Sequence, residues 1–253
     1  MLAMLTYGEP TALPPLLIVH GLFGSARNWG VISRRMAETR RVVAVDMRNH
    51  GESFWADSHT YPDLAADLAQ VIRAEGRPMD VLGHSMGGKA AMWLALTQGQ
   101  LVNRLVVGDI APVAYGHSQN HLIAAMRGLD LSGVSLRSEA DRRLAATVAD
   151  AGTRAFLLQS LDLKSEPPRW RLNLDVLEAG MAGIIGWPGS DGQYAGPALF
   201  LSGGTSSYVR PEHHAPIARM FPDARFQQIE GAGHWLHAER PREFEAALLD
   251  FLS

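Results

Sequence analysis

Four short runs in the first half of the chain are apolar at nearly every position: Leu16–Val19, Arg41–Asp46, Met79–Leu82 and Arg104–Asp109. Continuous rather than alternating apolarity predicts strands buried on both faces, as in a parallel sheet. Between them, Asn28–Glu38, Leu64–Glu75 and Ser85–Gln98 carry apolar residues at helical spacing. Strand–helix alternation of this kind predicts a doubly wound α/β fold. From Pro112 to about Gly196 the pattern changes. Helical segments Asn120–Arg127, Glu139–Ala149, Thr153–Ser160 and Leu172–Ala182 follow one another with no strand expected between them. Alternation resumes with strand Ala198–Ser202, helix Pro211–Phe221, strand Ala224–Ile229 and helix Pro241–Leu252. Pro211 and Pro241 suit a first helical turn, where the missing N–H costs nothing. The expected organisation is one α/β core, residues 1–111 and 196–253, with a helical cap, 112–195, inserted between two of its strands.

Composition narrows the function classes. Apolar residues make up 47% of the 253 and charged residues 19%, which fits a globular protein and excludes a disordered or fibrous one. A net charge of −3 offers no broad basic field, so no nucleic-acid partner is expected. The absence of cysteine excludes disulfides, thiolate-held metals and a thiol nucleophile. No apolar run approaches the length of a membrane span. The first basic residue is Arg27, too late for the basic start of a secretory signal, so the expectation is a cytoplasmic protein.

The central motif is Gly83-His84-Ser85-Met86-Gly87, between a predicted strand and a predicted helix. G-x-S-x-G in that setting reads as a nucleophile elbow. Its glycines leave room for a tight turn, and the helix start behind Ser85 favours developing negative charge. The same stretch, Gly83 to Lys89, also spells most of a phosphate-binding loop. Ala90 decides against that reading, because a phosphate loop needs Ser or Thr there to hold magnesium.

A serine hydroxyl needs a base. His234 lies in Gly231-Ala232-Gly233-His234-Trp235, after the last predicted strand. That is where the base falls in the order nucleophile, acid, histidine. His237 is expected to be a surface helical residue. His213 and His214 are adjacent and share no helix face, and no H-E-x-x-H pattern occurs, so no metal and no cofactor are expected. The segment after the insertion, Ser202–Val209, holds no carboxylate in the place where the acid often stands. Asp191, Asp223 and Glu230 lie near it, but Asp109 fits better. It ends a predicted strand, and strand C-termini line the ligand edge of an open α/β sheet. Ser206 occupies the vacated acid position and is expected to hydrogen-bond near His234 or Asp109.

Taken together, His20–Ser25, Asp46–Ser53, GHSMGG at 83–88, GDIAP at 108–112 and GAGHW at 231–235 resemble the α/β-hydrolase superfamily. More narrowly, the set is similar to the small YbfF-type acyl esterases and their mitochondrial relatives. The resemblance spans the core and implies the same acid placement before the cap, with a serine in the later position. It also implies an oxyanion hole from the backbone N–H groups of Leu22 and Met86, and an acyl pocket floored by Phe23 and Met86. Asp46, Arg48, Gly51 and Ser53 are expected to build a structural loop.

The expected reaction is hydrolysis of a small-molecule ester or thioester by a serine carboxylesterase, through an acyl-enzyme on Ser85. Cap residues Phe156, Leu157, Leu158, Trp170, Met181, Ile184, Ile185 and Trp187 are candidates for the acyl pocket, and Arg169 and Arg171 for contacts to coenzyme A phosphates. A dehalogenase or epoxide hydrolase would need an aspartate where Ser85 stands. A cofactor-free haloperoxidase or a carbon–carbon bond hydrolase would share the triad, and a non-catalytic ligand-binding homologue would share the fold.

Overall fold

The computed structural model describes residues 1–253. In chain order the strands are β1 (Met4–Tyr7), β2 (Leu16–Val19), β3 (Val42–Val45), β4 (Met79–His84), β5 (Val102–Gly108), β6 (Leu161–Asp162), β7 (Arg169–Trp170), β8 (Ala198–Gly203) and β9 (Ala224–Ile229). The helices are α1 (Gly30–Met36), α2 (Tyr61–Glu75), α3 (Met86–Gln98), α4 (Asn120–Arg127), α5 (Arg137–Leu144), α6 (Ala151–Leu157), α7 (Leu174–Ala179), α8 (Met181–Ile185), α9 (Pro211–Met220), α10 (Leu236–Glu239) and α11 (Pro241–Leu252).

Seven strands form one sheet in the order β1-β3-β2-β4-β5-β8-β9. Every pairing is parallel except β1 with β3. Successive side chains on a strand point to opposite faces, so a sheet covered on both sides needs apolar residues at every position. Leu17, Val19, Val43, Val45, Val81, Leu105 and Val107 join the cluster under α2 and α3. Leu16, Ile18, Val42, Ala44, Leu82 and Val106 join the opposite one, with Phe244, Leu248 and Phe251 of α11. β1 has no counterpart among the expected strands. Met4, Leu5 and Thr6 are exposed on the sheet's antiparallel edge, so no buried run marks it.

The segment between β5 and β8 carries α4 to α8. It also holds the short antiparallel pair β6–β7, which corrects the expectation of helices alone. Two-residue strands are too short to leave a period in the sequence. This segment is stitched to the loop after β3: Gly51 N–H donates to the Arg171 carbonyl at 2.8 Å and Asn173 N–H to the Asn49 carbonyl at 3.0 Å. Leu157, Leu158, Trp170 and Met181 are buried in the same cluster as α2 and α3. They are packing residues, not pocket walls. The post-β3 loop is structural as expected. Asp46 accepts from the N–H groups of Ala26 at 2.7 Å and Glu52 at 2.8 Å, and Arg48 is paired with Asp67. No helix is long and apolar enough to cross a membrane.

Candidate active site

Ser85 stands between β4 and α3 with φ 52° and ψ −121°. A non-glycine residue at such angles is strained by about 1–3 kcal/mol, which only close packing sustains. A β-carbon on Gly83 would overlap the Gly87 carbonyl, and one on Gly87 would overlap the carbonyls of Val19 and His20. The two glycines of the motif are therefore steric requirements of the turn.

The structure brings Ser85, His234 and Asp109 into one chain of contacts. His234 Nε2 is 3.1 Å from Ser85 Oγ, and His234 Nδ1 is 2.7 Å from Asp109 Oδ2. A neutral imidazole meets both contacts in one tautomer, with Nδ1–H donating to the carboxylate and Nε2 accepting from the hydroxyl. Asp109 follows β5 at φ 48° and is fully buried. Its Oδ1 accepts from Gly203 N–H at 3.0 Å, and Ser206 Oγ–H donates to Oδ2 at 2.5 Å. A buried carboxylate needs such donors to hold its charge.

The amides near the serine divide into used and unused. Phe23 N–H donates to His50 Nε2 at 3.1 Å, and Gly24 N–H to the Gly21 carbonyl at 3.0 Å. The N–H groups of Leu22 and Met86 have no partner within the protein. Met86 opens α3, and the first N–H of a helix is free by construction. His50 and His20 serve this arrangement as acceptors: His20 Nε2 takes Met47 N–H at 2.9 Å. Burial pushes His20 down to about 4 and His50 to about 3, so both rings stay neutral.

Three side chains near His234 carry no local signal in the sequence: Tyr208 and His84 touch it, and His237 packs against His84. Tyr208 stacks on the His234 ring, centroids 4.0 Å apart and 19° from parallel. His84 donates from Nε2 to the His234 carbonyl at 2.8 Å, and burial holds its pKa well below the ordinary histidine value. His237 is not the expected surface residue. It stacks on Trp29 at 4.1 Å, and burial pushes it down to about 3. α10 is only four residues long and turns this ring inward, which helical spacing alone does not reveal.

These residues line a cleft of about 860 Å³, measured to its open mouth. Phe23, Met86, Phe156, Ile184 and Ile185 are among its walls. Trp187 is not. Its indole packs against Tyr61 and Trp93 and borders a second cavity instead. Arg171 is occupied by Glu52 and by Asp162 at 3.0 Å. The cleft wall contains no Asp, Glu or Arg, and its single cation is Lys89. Lys89 is 1% exposed and donates to the carbonyls of Val113 and Ile185, each at 2.9 Å, and Gly186 at 2.6 Å. The lysine of the near-phosphate-loop pattern thus ties α3 to the segment between β5 and β8.

A model of the alpha/beta hydrolase family matches residues 16–247. The chain belongs to the alpha/beta hydrolase family. Within that family, this hydrolase is 41% identical to the sn-1-specific diacylglycerol lipase ABHD11 of Mus musculus, over 97% of its own length and 83% of the relative's. It is 37% identical to esterase YbfF of Escherichia coli (strain K12), over 94% and 93% of the two chains. A solved marine microorganism esterase superposes with a TM-score of 0.93 at 37% identity, covering 99% of this hydrolase and 98% of that chain. The hydrolase is therefore of the esterase and lipase kind.

Proposed function

We propose that this carboxylic ester hydrolase cleaves small to medium uncharged acyl esters through an acyl-enzyme on Ser85. The observation that carries the reading is the Ser85–His234–Asp109 chain of contacts beside two unspent amides. In the first step His234 Nε2 takes the Ser85 proton as Oγ attacks the ester carbonyl. Asp109 keeps the imidazole in its tautomer and stabilises the imidazolium. The carbonyl oxygen, now an oxyanion, accepts from the N–H groups of Leu22 and Met86, each worth about 10²–10³ in rate. His234 then passes its proton to the leaving alcohol. Water repeats the sequence on the acyl-enzyme and frees the acid.

The cleft electrostatics favour a neutral ester over a coenzyme A thioester. A polyphosphate leaving group calls for unpaired cations at the mouth. The cleft wall holds no arginine, Lys89 is spent on three carbonyls and Arg171 on two carboxylates, and the exposed Arg169 lies outside that wall.

The test is a panel of p-nitrophenyl esters and acyl-coenzyme A thioesters, with fluorophosphonate labelling. The expected result is ester turnover, weak or no thioester turnover, and labelling that Ser85→Ala abolishes. An unlabelled Ser85, or no ester hydrolysis at any chain length, would refute the reading. Thioesters turned over faster than esters would refute the substrate preference.

A further inference from the structure

Tyr61 opens α2 and is 4% exposed. It borders two cavities at once: the catalytic cleft and a second space of about 1020 Å³ that opens to solvent elsewhere. The wall between them is thin. Along the chain from 182 to 187, Ile184 and Ile185 face the cleft, whereas Ala182, Gly183, Gly186 and Trp187 face the second space. Tyr61 closes this wall by donating its hydroxyl hydrogen to the Ile184 carbonyl at 2.5 Å. Lys89 fixes the same stretch through Ile185 and Gly186. Beside the ring, His59 of the second cavity meets Met86 of the cleft at 3.2 Å, Nε2 to Sδ.

The cleft wall holds Trp29, Asn28, Thr153 and the contacting pair Phe156–Trp235. It also holds the apolar side chains of Met86, Ile184 and Ile185 together with Tyr61, whose hydroxyl bonds the Ile184 carbonyl. The far side of Tyr61 is bordered by the small residues Ala179, Gly180, Ala182 and Gly183 and by Val176, with Asp57, Ser58 and Thr60 also on the second cavity's wall.

We propose that Tyr61 is the end-stop of the acyl subsite and sets the longest acyl chain this hydrolase accommodates. The proposal rests on the esterase reading and adds to it where the acyl chain lies. Up to the stop, each methylene gains burial worth about 0.8 kcal/mol, close to fourfold in kcat/KM. Beyond the stop, added methylenes find no apolar wall and the gain ends. The series of kcat/KM against chain length therefore has a break, and Tyr61 determines its position. Removing the ring joins the cleft to the second cavity.

The experiment is a p-nitrophenyl ester series from acetate to palmitate on the whole chain. Tyr61→Phe keeps the plug and is expected to keep the break. Tyr61→Ala and Tyr61→Leu are expected to move it to longer chains, raising kcat/KM on esters past the original break by about fifteenfold relative to butyrate, two methylenes' worth of burial. Tyr61→Leu carries the same readout if the alanine variant does not fold. A β-carbon on Gly183 meets open space, so Gly183→Phe in the Tyr61→Leu background is expected to refill the passage and return the break. A folded Tyr61→Leu variant that hydrolyses butyrate and breaks at the original length overturns the proposal. Failure of the wild-type chain to hydrolyse any ester would instead overturn the esterase reading.

Discussion

Ser206 Oγ–H donates to Asp109 Oδ2 at 2.5 Å, and the same oxygen accepts from His234 Nδ1 at 2.7 Å. A side chain from the loop after β8 thus touches the acid carried by β5. Ser206 also accepts from Tyr208 N–H at 3.2 Å, so it ties the acid to the residue stacked on the base. It acts as a positioning residue. A hydrogen bond to a charged group is worth about 1.5–3 kcal/mol, so Ser206→Ala is expected to lower kcat by about ten- to hundredfold with KM little changed. Ser206→Thr, which keeps the hydroxyl, is expected to recover most of it. A kcat for Ser206→Ala within twofold of wild type would remove the role.

Asp109→Asn probes the acid itself. Asparagine fits the volume but presents an amide where the carboxylate accepts Nδ1–H. The imidazole then favours the other tautomer, with its N–H toward Ser85. A loss of about 10⁴ in kcat is expected, with fluorophosphonate labelling slowed in parallel. Asp109 is fully buried and takes Gly203 N–H as well, so a melting curve run beside the kinetics separates lost chemistry from lost fold. Near-wild-type turnover would move the acid role to another carboxylate.

Which of these features the sequence made legible follows from physical range. β2 to β5, β8 and β9 were readable because burial on both faces leaves continuous apolar runs. β1 was not, since its edge position leaves Met4, Leu5 and Thr6 exposed. The residues around Ser85 and His234 were readable because their turns impose glycines locally. Asp109 leaves a mark because it follows a strand, and its φ of 48° turns the chain into the segment between β5 and β8. Tyr208, His237 and Tyr61 owe their places to contacts across long stretches of chain, and no local period records those. Trp187 stands outside the cleft for the same reason: Ile184 and Ile185 face the cleft, whereas Trp187 faces the second cavity. Lys89 leaves a signal in the Gly83 to Lys89 pattern, but its partners are backbone carbonyls, which carry no sequence mark.

Tyr208 is expected to matter through its ring more than its hydroxyl. The ring lies flat on His234. Its carbonyl accepts from Tyr115 O–H at 2.8 Å, and its own hydroxyl contacts His117 Nε2 at 2.9 Å. Stacked aromatic pairs are worth about 0.5–1.5 kcal/mol beyond burial. Tyr208→Phe is expected to retain most of kcat, and Tyr208→Leu to lose about three- to tenfold with a shifted pH–kcat profile. Equal losses in the two variants would assign the effect to the hydroxyl instead.

Acid stability is set by the buried imidazoles. Burial lowers the pKa of His20 to about 4, His50 and His237 to about 3 and His59 to about 2, with His84 also well below its ordinary value. The unfolded chain holds these histidines near 6.5, so below that pH it binds more protons than the folded one. The histidine contribution to stability is therefore full above pH 6.5 and lost as pH falls toward the folded values. Each histidine contributes a slope of about 1.4 kcal/mol per pH unit. Urea unfolding between pH 5.5 and 4.5 is expected to take up several protons, most of them on these rings. An uptake of one or none would mean that these rings are charged or exposed in the folded protein.

Lys89 titrates in the opposite pH range. Burial pulls its ammonium from the ordinary lysine value to about 7, although three carbonyls and the Tyr115 ring, 4.7 Å away, favour the charged form. Lys89→Met keeps the stem and removes the donors. Three buried acceptors then lose their partner, at about 1–3 kcal/mol each before relaxation, and the hold of the core on the 185–186 stretch goes with them. The variant is expected to be less stable and to show a broken chain-length preference, since that stretch is part of the acyl wall. The sign with pH is fixed. Between about 7 and 10.5 the unfolded wild-type chain binds the extra proton, so wild-type stability gains with rising pH through this site and the variant gains nothing. The stability gap measured by urea at pH 7 and pH 9.5 should widen by a few kcal/mol. A gap that narrows or stays constant would show that the carbonyl cage outweighs burial and holds Lys89 charged throughout.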